Sequence, residues 1–458
     1  MPRETAPPPP SLHRHPLSPP WRSRAPEPPQ APVSILLGPA PRAAIIRLPM
    51  RPTEIAAHLE GFEGRGAGTD AERRAAQWLA DQVSAGGREV IVEPFWCRPS
   101  WALAHAWHVV LGLAGSLIAT ASAPVGGALV LASLVSVLAD ELIGISPGRR
   151  LTPERASQNV VAVPMRRGAE TGPGRVRLVI AANYDAGRAG LAYRNGLRAI
   201  FARLRCASRG LVPGWLGWLA IANVWLLAMA ILRIVGHHSR LVGVAQLPPT
   251  VGLLLGLALL IELAISDFAP AAGDNGTGVA AALTLARALD VSPPGNLDVE
   301  VVLEGAGDGG QIGMRRYLRA RRRERRPSDT VVLGIAACSG GNPRWWVSDG
   351  SLLPRRYARP LTGLAAAVAS REPYLQARPH RGRGVTPAFP ARRRRLPALA
   401  IGCLDQHGLA PRSHQRSDTA AEIDADAVDA AVQFGLMLVD AIDASVASAG
   451  RPASPAPA

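Results

Sequence analysis

The hydrophobic pattern first becomes regular after residue 70. Ala75, Ala76, Leu79, Ala80 and Val83 fall at helical spacing within 71–83, and Gly86-Gly87 ends the pattern. The segment 88–94 then reads as a strand. Short apolar runs rich in Val and Ile at 159–164, 176–182, 299–303 and 331–336 predict further strands. Helical periodicity returns at 278–289, 312–323 and 425–444. Strands alternating with helices predict an α/β domain with a mixed central sheet flanked by helices.

Two stretches break this pattern because they lack a polar face. Residues 99–139 contain no Asp, Glu, Lys or Arg, and Ala123-Pro-Val-Gly-Gly127 is expected to interrupt them. Residues 210–232 are likewise uncharged and carry Trp215, Trp218 and Trp225, and 241–261 are uncharged up to Glu262. A spanning helix needs about 20 apolar residues, and a helix buried in a soluble fold normally keeps a polar stripe. Two inserted hydrophobic helical hairpins are therefore expected to cross a membrane, making the protein integral and multi-pass.

The resulting organisation is a Pro/Arg-rich disordered tail over 1–50, the start of the α/β domain over 51–97, and a first hairpin over 98–145. The domain continues over 146–195, a second hairpin covers 196–268, the domain is completed over 269–447, and a disordered tail covers 448–458. The first tail has no apolar core near its start and does not read as a cleavable signal peptide. Both hairpins return the chain to the side it left. Arg149, Arg150, Arg198, Arg203, Arg205 and Arg209 flank the spans on the domain side, against Arg233 and Arg240 in the far loop. This bias favours a cytoplasmic domain.

The chain of 458 residues has a net charge of +16, and no lysine occurs, so its cations are arginines. Arginine without lysine, beside heavy Ala, Gly and Pro usage, reflects a GC-rich coding sequence. No nucleic-acid module accompanies the charge, so nucleic acid is not an expected partner. The runs 319–326 and 392–395 read as solvated surface near anionic headgroups. Cys97, Cys206, Cys338 and Cys403 are far apart and form neither a Cys-x-x-Cys motif nor a disulfide scaffold. His237-His238 is a weak metal signal on its own, and Trp345-Trp346 is expected to pack within the domain.

Four segments carry the chemistry: Ala-Asn-Tyr-Asp-Ala-Gly at 182–187, Asp-Asn-Gly-Thr-Gly-Val-Ala-Ala at 274–281, Glu-Gly-Ala-Gly-Asp-Gly-Gly at 304–310, and Ser-His-Gln-Arg-Ser-Asp-Thr at 413–419. In this order and context they resemble the zinc exopeptidase family of bacterial leucyl aminopeptidase, aminopeptidase Y, glutamate carboxypeptidase II and the glutaminyl cyclases. That resemblance implies metals at the carboxyl ends of the strands. Zinc takes imidazole and carboxylate ligands and keeps a position open in catalytic sites, and a nearby Glu takes the proton of water.

Carried over position by position, the resemblance places Asp274 at the bridging carboxylate, Asp308 at a second ligand and His414 at the last, with Asp418-Thr419 completing the His414 signature. Asn183 stands where the family has its first His, and Ala337 falls near the Asp of the following strand. Asp185 matches the Asp that supports that first His. Gly307 stands at the general-base Glu. One metal would lose its private ligands, while Asp274, Asp308 and His414 would remain for one zinc. Loss of a positioned base costs roughly 10²–10⁴-fold. The expectation is a membrane-embedded zinc aminopeptidase-like pseudoenzyme that binds a peptide or protein ligand. The alternatives are an active one-zinc aminopeptidase or cyclase-like hydrolase, and a membrane scaffold docking a protein partner. Glu304 is expected to face solvent or an arginine, and Asp405 and His407 to be solvated loop residues.

Overall fold

The computed structural model describes residues 33–35, 46–48, 50–165, 175–208 and 212–449. The strands are β1 Val33–Ile35, β2 Ile46–Leu48, β3 Val90–Cys97, β4 Arg155–Ala162, β5 Val176–Asn183, β6 Leu297–Glu304, β7 Thr330–Ile335, β8 Asn342–Asp349, β9 Arg355–Arg356, β10 Arg378–Arg381 and β11 Ala398–Leu404. The domain helices are α1 Pro52–Glu60, α2 Asp70–Ala85, α5 Pro147–Arg150, α6 Asn195–Ala207, α9 Gly278–Val291, α10 Ile312–Ala320, α11 Arg359–Arg371, α12 Phe389–Arg393 and α13 Ala425–Ala449. Between them lie α3 Trp101–Ile118 and α4 Ala123–Ile143, then α7 Trp215–Ile234 and α8 Arg240–Ile265.

The main sheet runs β10-β8-β11-β7-β5-β6-β4-β3, with β9 on β8. Its central strands β11, β7, β5 and β6 are parallel, and antiparallel pairs flank them. The expected mixed α/β architecture is therefore present. The parallel strands are largely buried and rich in Val, Ile, Leu and Ala, although β6 also carries Asp298, Glu300 and Glu304. Leu178 to Ala182 of β5 are fully buried. Helix α2 starts where predicted because the Thr69 hydroxyl accepts the Glu72 amide. The register pairs Asn183 with Glu304, so the carboxyl ends of β5 and β6 lie side by side. Loops leaving those ends carry 184–187 and 305–310.

Four details differ from the sequence reading. Pro124 sits in the first turn of α4, where its missing amide costs nothing; the break falls at 119–122 instead. Helix α10 stops at Ala320, three residues early. Strands β1 and β2 pair antiparallel inside the segment expected to be a tail; the rest of that tail up to 49, and 450–458, lie outside the described residues. Strands β8, β10 and β11 form one flank of the sheet that the apolar pattern did not reveal.

Helices α3, α4, α7 and α8 pack as one bundle with its own core, which includes Val109, Val130, Leu226 and Leu253. A Cβ on Gly115 would meet the Gly126 carbonyl at 2.8 Å, so α3 and α4 touch backbone to backbone. Gln246 of α8 donates to the Ser116 carbonyl of α3 at 2.6 Å. The outward faces expose Leu117, Val135, Val224, Leu254 and Leu255. Among the described residues, five helices are long and apolar enough to cross a membrane: these four and α13. Helix α13, however, buries Val428, Phe434, Leu438 and Val439 in the sheet domain's core.

Each hairpin departs and returns across adjacent backbone. Cys97 and Arg155, the last and first residues flanking α3 to α5, are register partners in β3 and β4. Arg188 and Phe268 form an isolated antiparallel bridge around α6 to α8.

Candidate metal centre

Asp274 precedes α9, Asp308 follows β6, and His414 lies in the loop after β11. The three side chains meet at the carboxyl ends of the parallel strands. His414 Nε2 stands 3.5 Å from Asp308 Oδ1 and 4.0 Å from Asp274 Oδ2. Its Nδ1 lies 3.1 Å from the Arg188 carbonyl, which requires Nδ1–H and leaves the Nε2 lone pair facing the two carboxylates. Two neighbours hold the imidazole: the Tyr193 ring stacks on it at 4.2 Å, and a Cβ on Gly187 would come within 2.1 Å of its Cε1, so only glycine leaves room there. The backbone of His414 itself is left-handed, with φ 57°.

Asp308 accepts Trp101 Nε1–H at 3.3 Å, so the first hairpin reaches directly into the site. Asp274 Oδ2 accepts the Ser413 hydroxyl. Asp418 accepts the amides of Gly273 and Asp274 at 3.0 and 2.9 Å. Burial, against those two amides, pushes the Asp418 carboxyl up to about 7.

Zinc binds N and O ligands at about 2.0–2.2 Å, which sets them about 3.4 Å apart in a tetrahedron. The donor types suit one zinc, and the His414–Asp308 separation matches that spacing. The His414–Asp274 separation is longer. Among the described residues, no group of three or more His, Cys, Asp or Glu side chains closes into a complete ligand set.

Asn183 and Gly307 are locked to each other. Asn183 donates to Asp185 Oδ1 at 3.2 Å, and its Oδ1 accepts the Asn275 amide at 3.0 Å. Asp185 also accepts the amides of Gly307 and Asp308, both at 2.9 Å. Buried and near Asp308, its carboxyl is raised to about 6. A Cβ built on Gly307 would lie 2.3 Å from the Asn183 Cβ. The space beside Gly307 is thus filled from the neighbouring strand. It is not the vacancy that the glycine alone suggests.

Ala337 is buried, and its carbonyl accepts the Cys403 amide at 2.9 Å. Glu304 is the clear correction: it is fully buried, accepts the Met314 amide at 2.7 Å, and desolvation raises its pKa well above the usual range. Its place at the end of a doubly covered parallel strand excludes solvent. Asp405 caps its own loop through the His407 and Leu409 amides, and His407 is exposed, as expected of solvated loop residues. Trp345 and Trp346 pack in the domain. The 319–326 run is not all surface: Arg321 pairs with Glu93, and Arg325 with Glu300 at 2.8 Å.

Two buried ionisable side chains that shape the site carry no motif. Arg65 donates to the carbonyls of Tyr184 at 2.5 Å and Ala271 at 3.1 Å, and to that of Leu59. Glu72 accepts the amides of Gly68 and Ala306 at 2.7 and 2.8 Å and the Ser157 hydroxyl at 2.9 Å. Ala271 and Ala306 both have left-handed backbones, at φ 55° and 49°. The two side chains therefore clamp the strained turns that present Asp274 and Asp308.

Residues 261–439 match the family model Peptidase family M28. The M28 match spans all three of Asp274, Asp308 and His414 and bears out the resemblance read from the motifs; Asn183 and Asp185 precede it. Solved structures similar to this chain include LapB from Legionella pneumophila (12% identity, 86% of this chain and 71% of that one, TM-score 0.47). A glutaminyl cyclase from Bacteroides thetaiotaomicron bound to N-acetylhistamine is similar at 12% identity (85% and 96% covered, TM-score 0.48). So is BSAP, a zinc aminopeptidase from Bacillus subtilis, at 11% identity (85% and 94%, TM-score 0.48). No curated protein matches the chain.

Proposed function

We propose that this protein is a membrane-embedded relative of the M28 metallopeptidases whose cleft binds a peptide or protein ligand without hydrolysing it. The observation that carries the reading is the contact between positions 307 and 183. A side chain at Gly307 would collide with Asn183 at 2.3 Å, and Asn183 is held by Asp185 and Asn275. A glutamate at 307 could not stand there without displacing Asn183.

Asp274, Asp308 and His414 would hold one zinc. When bound, zinc supplies a Lewis acid that polarises a carbonyl oxygen. The chain's own residues do the rest. The Arg188 carbonyl fixes the His414 tautomer, Trp101 orients Asp308, and Tyr193 holds the imidazole plane. Helices α3, α4, α7 and α8 are read as spans because their outer faces expose leucine and valine, with charged residues only near their ends.

Metal analysis of the purified chain tests this. About one zinc per chain is expected, lost in His414→Ala, together with no turnover of chromogenic aminoacyl substrates. Turnover abolished by Asp274→Ala would overturn the non-hydrolytic reading. Protein free of zinc at neutral pH would remove the metal and leave a docking scaffold.

A further inference from the structure

A cavity of about 520 Å³ lies where the bundle meets the sheet domain. Its walls include the domain-proximal ends of α3 and α4 and the start of α7, and it reaches Asp308 and His414 at its floor. Such a volume suits a small ligand or a headgroup.

Its charge is unbalanced. Arg149 is paired with Asp140 at 2.7 Å, and Arg98 with Glu154 at 3.7 Å. Glu141 is taken by Arg393 at 3.7 Å. Among the described residues, Arg150, Arg315, Arg316 and Arg319 line the same cavity without an ion pair. Arg315 is the most enclosed of them, and burial pushes its pKa down to about 10. Glu141, which also faces Arg393, offsets its charge only in part; the six lining arginines outnumber the four lining carboxylates, and an anion in the cavity would relieve the excess.

The rim is apolar and exposed. Trp96 is 63% exposed, Ile143 61% and Ile145 50%, and all three line the cavity. Exposed tryptophan and isoleucine beside a surplus of arginine, near the ends of apolar helices, match the composition of a membrane–water interface.

We infer that this cavity seats the anionic headgroup of a membrane phospholipid, with Arg315 and Arg319 on the phosphate and the acyl chains leaving past Ile143 and Ile145. The inference rests on the reading of the bundle as membrane-spanning. It brings a lipid to within the reach of Asp308 and His414, so bound lipid and a peptide ligand compete for one cleft.

The test uses the full chain in nanodiscs made of equal parts phosphatidylcholine and phosphatidylglycerol, with retained lipid counted by native mass spectrometry. Phosphatidylglycerol is expected to be retained in preference. Arg319→Gln alone should weaken that preference about fivefold, and Arg315→Gln with Arg319→Gln about fivefold more, the effect of one cationic side chain at an anionic surface. Arg323→Gln, an exposed arginine outside the cavity, should leave it unchanged. The single variant keeps the test valid if the double variant does not fold. Equal retention of both lipids, or an equal loss in Arg323→Gln, overturns the proposal. So does stronger binding of inorganic phosphate or an acidic peptide than of phosphatidylglycerol, since the anion would then not come from lipid. Failure of the membrane reading is seen separately, as a chain that stays monodisperse without detergent before any lipid is added.

Discussion

Gly307→Ala should destabilise the protein, whereas Gly310→Ala three residues away should not. The methyl carbon added at Gly307 would sit 2.3 Å from the Asn183 Cβ, 3.0 Å from its Cγ and 3.1 Å from Asp185 Oδ1. Carbon atoms pack at about 3.5–4.0 Å, so one strand end must move by more than about 1 Å. Overpacking of this kind costs about 1–3 kcal/mol. At Gly310 the nearest atom is Ile312 Cγ1 at 3.9 Å, an ordinary contact, and alanine there should be neutral or stabilise by up to about 1 kcal/mol through the unfolded chain. Thermal unfolding in detergent, followed by tryptophan fluorescence, should separate the two variants by a few degrees. A cycle adds specificity: in an Asn183→Gly background the Gly307→Ala penalty should fall by about 1 kcal/mol or more. Equal midpoints for Gly307→Ala and Gly310→Ala would refute the closure of the base position.

Arg65→Met should abolish folded expression, because it strands three buried carbonyls at about 1–3 kcal/mol each; a monodisperse, wild-type-like size-exclusion peak would contradict this. Glu72→Gln should flatten stability against pH. Burial and nearby Asp185 raise the Glu72 carboxyl from 4.5 to about 8 despite its three donors. The unfolded chain releases that proton from about pH 4.5 upward while the folded chain retains it, so its contribution is complete below that pH and is lost as pH climbs towards 8. Denaturation midpoints measured across that window should fall with pH in the wild type and less in the variant, and parallel slopes would refute it. Gln246→Leu should cost about 0.6–1.7 kcal/mol by removing its bonds to Ser116, read as a lower thermal midpoint in detergent.

The parts of the fold legible in the sequence are those whose environment is uniform along the segment. Strands β5 and β7 are covered on both faces and therefore carry continuous apolar runs. The bundle helices are apolar along most of their length and carry charge only near their ends. Strand β10 instead reads Arg-Pro-His-Arg and pairs in parallel with β8 through its backbone, so no apolar period announces it. The site shows the same division. Asp274, Asp308 and His414 sit in local motifs that survive translation into sequence. Arg65, Glu72 and Trp101 reach the centre from 119 or more positions away, through contacts to Tyr184, Ala306 and Asp308, and no spacing encodes them. Glu304 misled because a carboxylate at a strand end normally finds water, whereas this one lies under α10.

The paired exits at Cys97–Arg155 and Arg188–Phe268 bear on how the chain comes into being. Each apolar insert leaves and re-enters across paired backbone, so its excision and resealing with a tight turn would leave the strand order untouched. Synthesis runs the other way: both inserts emerge from the ribosome before Asp274, Asp308 and His414 exist. The cleft is therefore completed last, against inserts that have already been made.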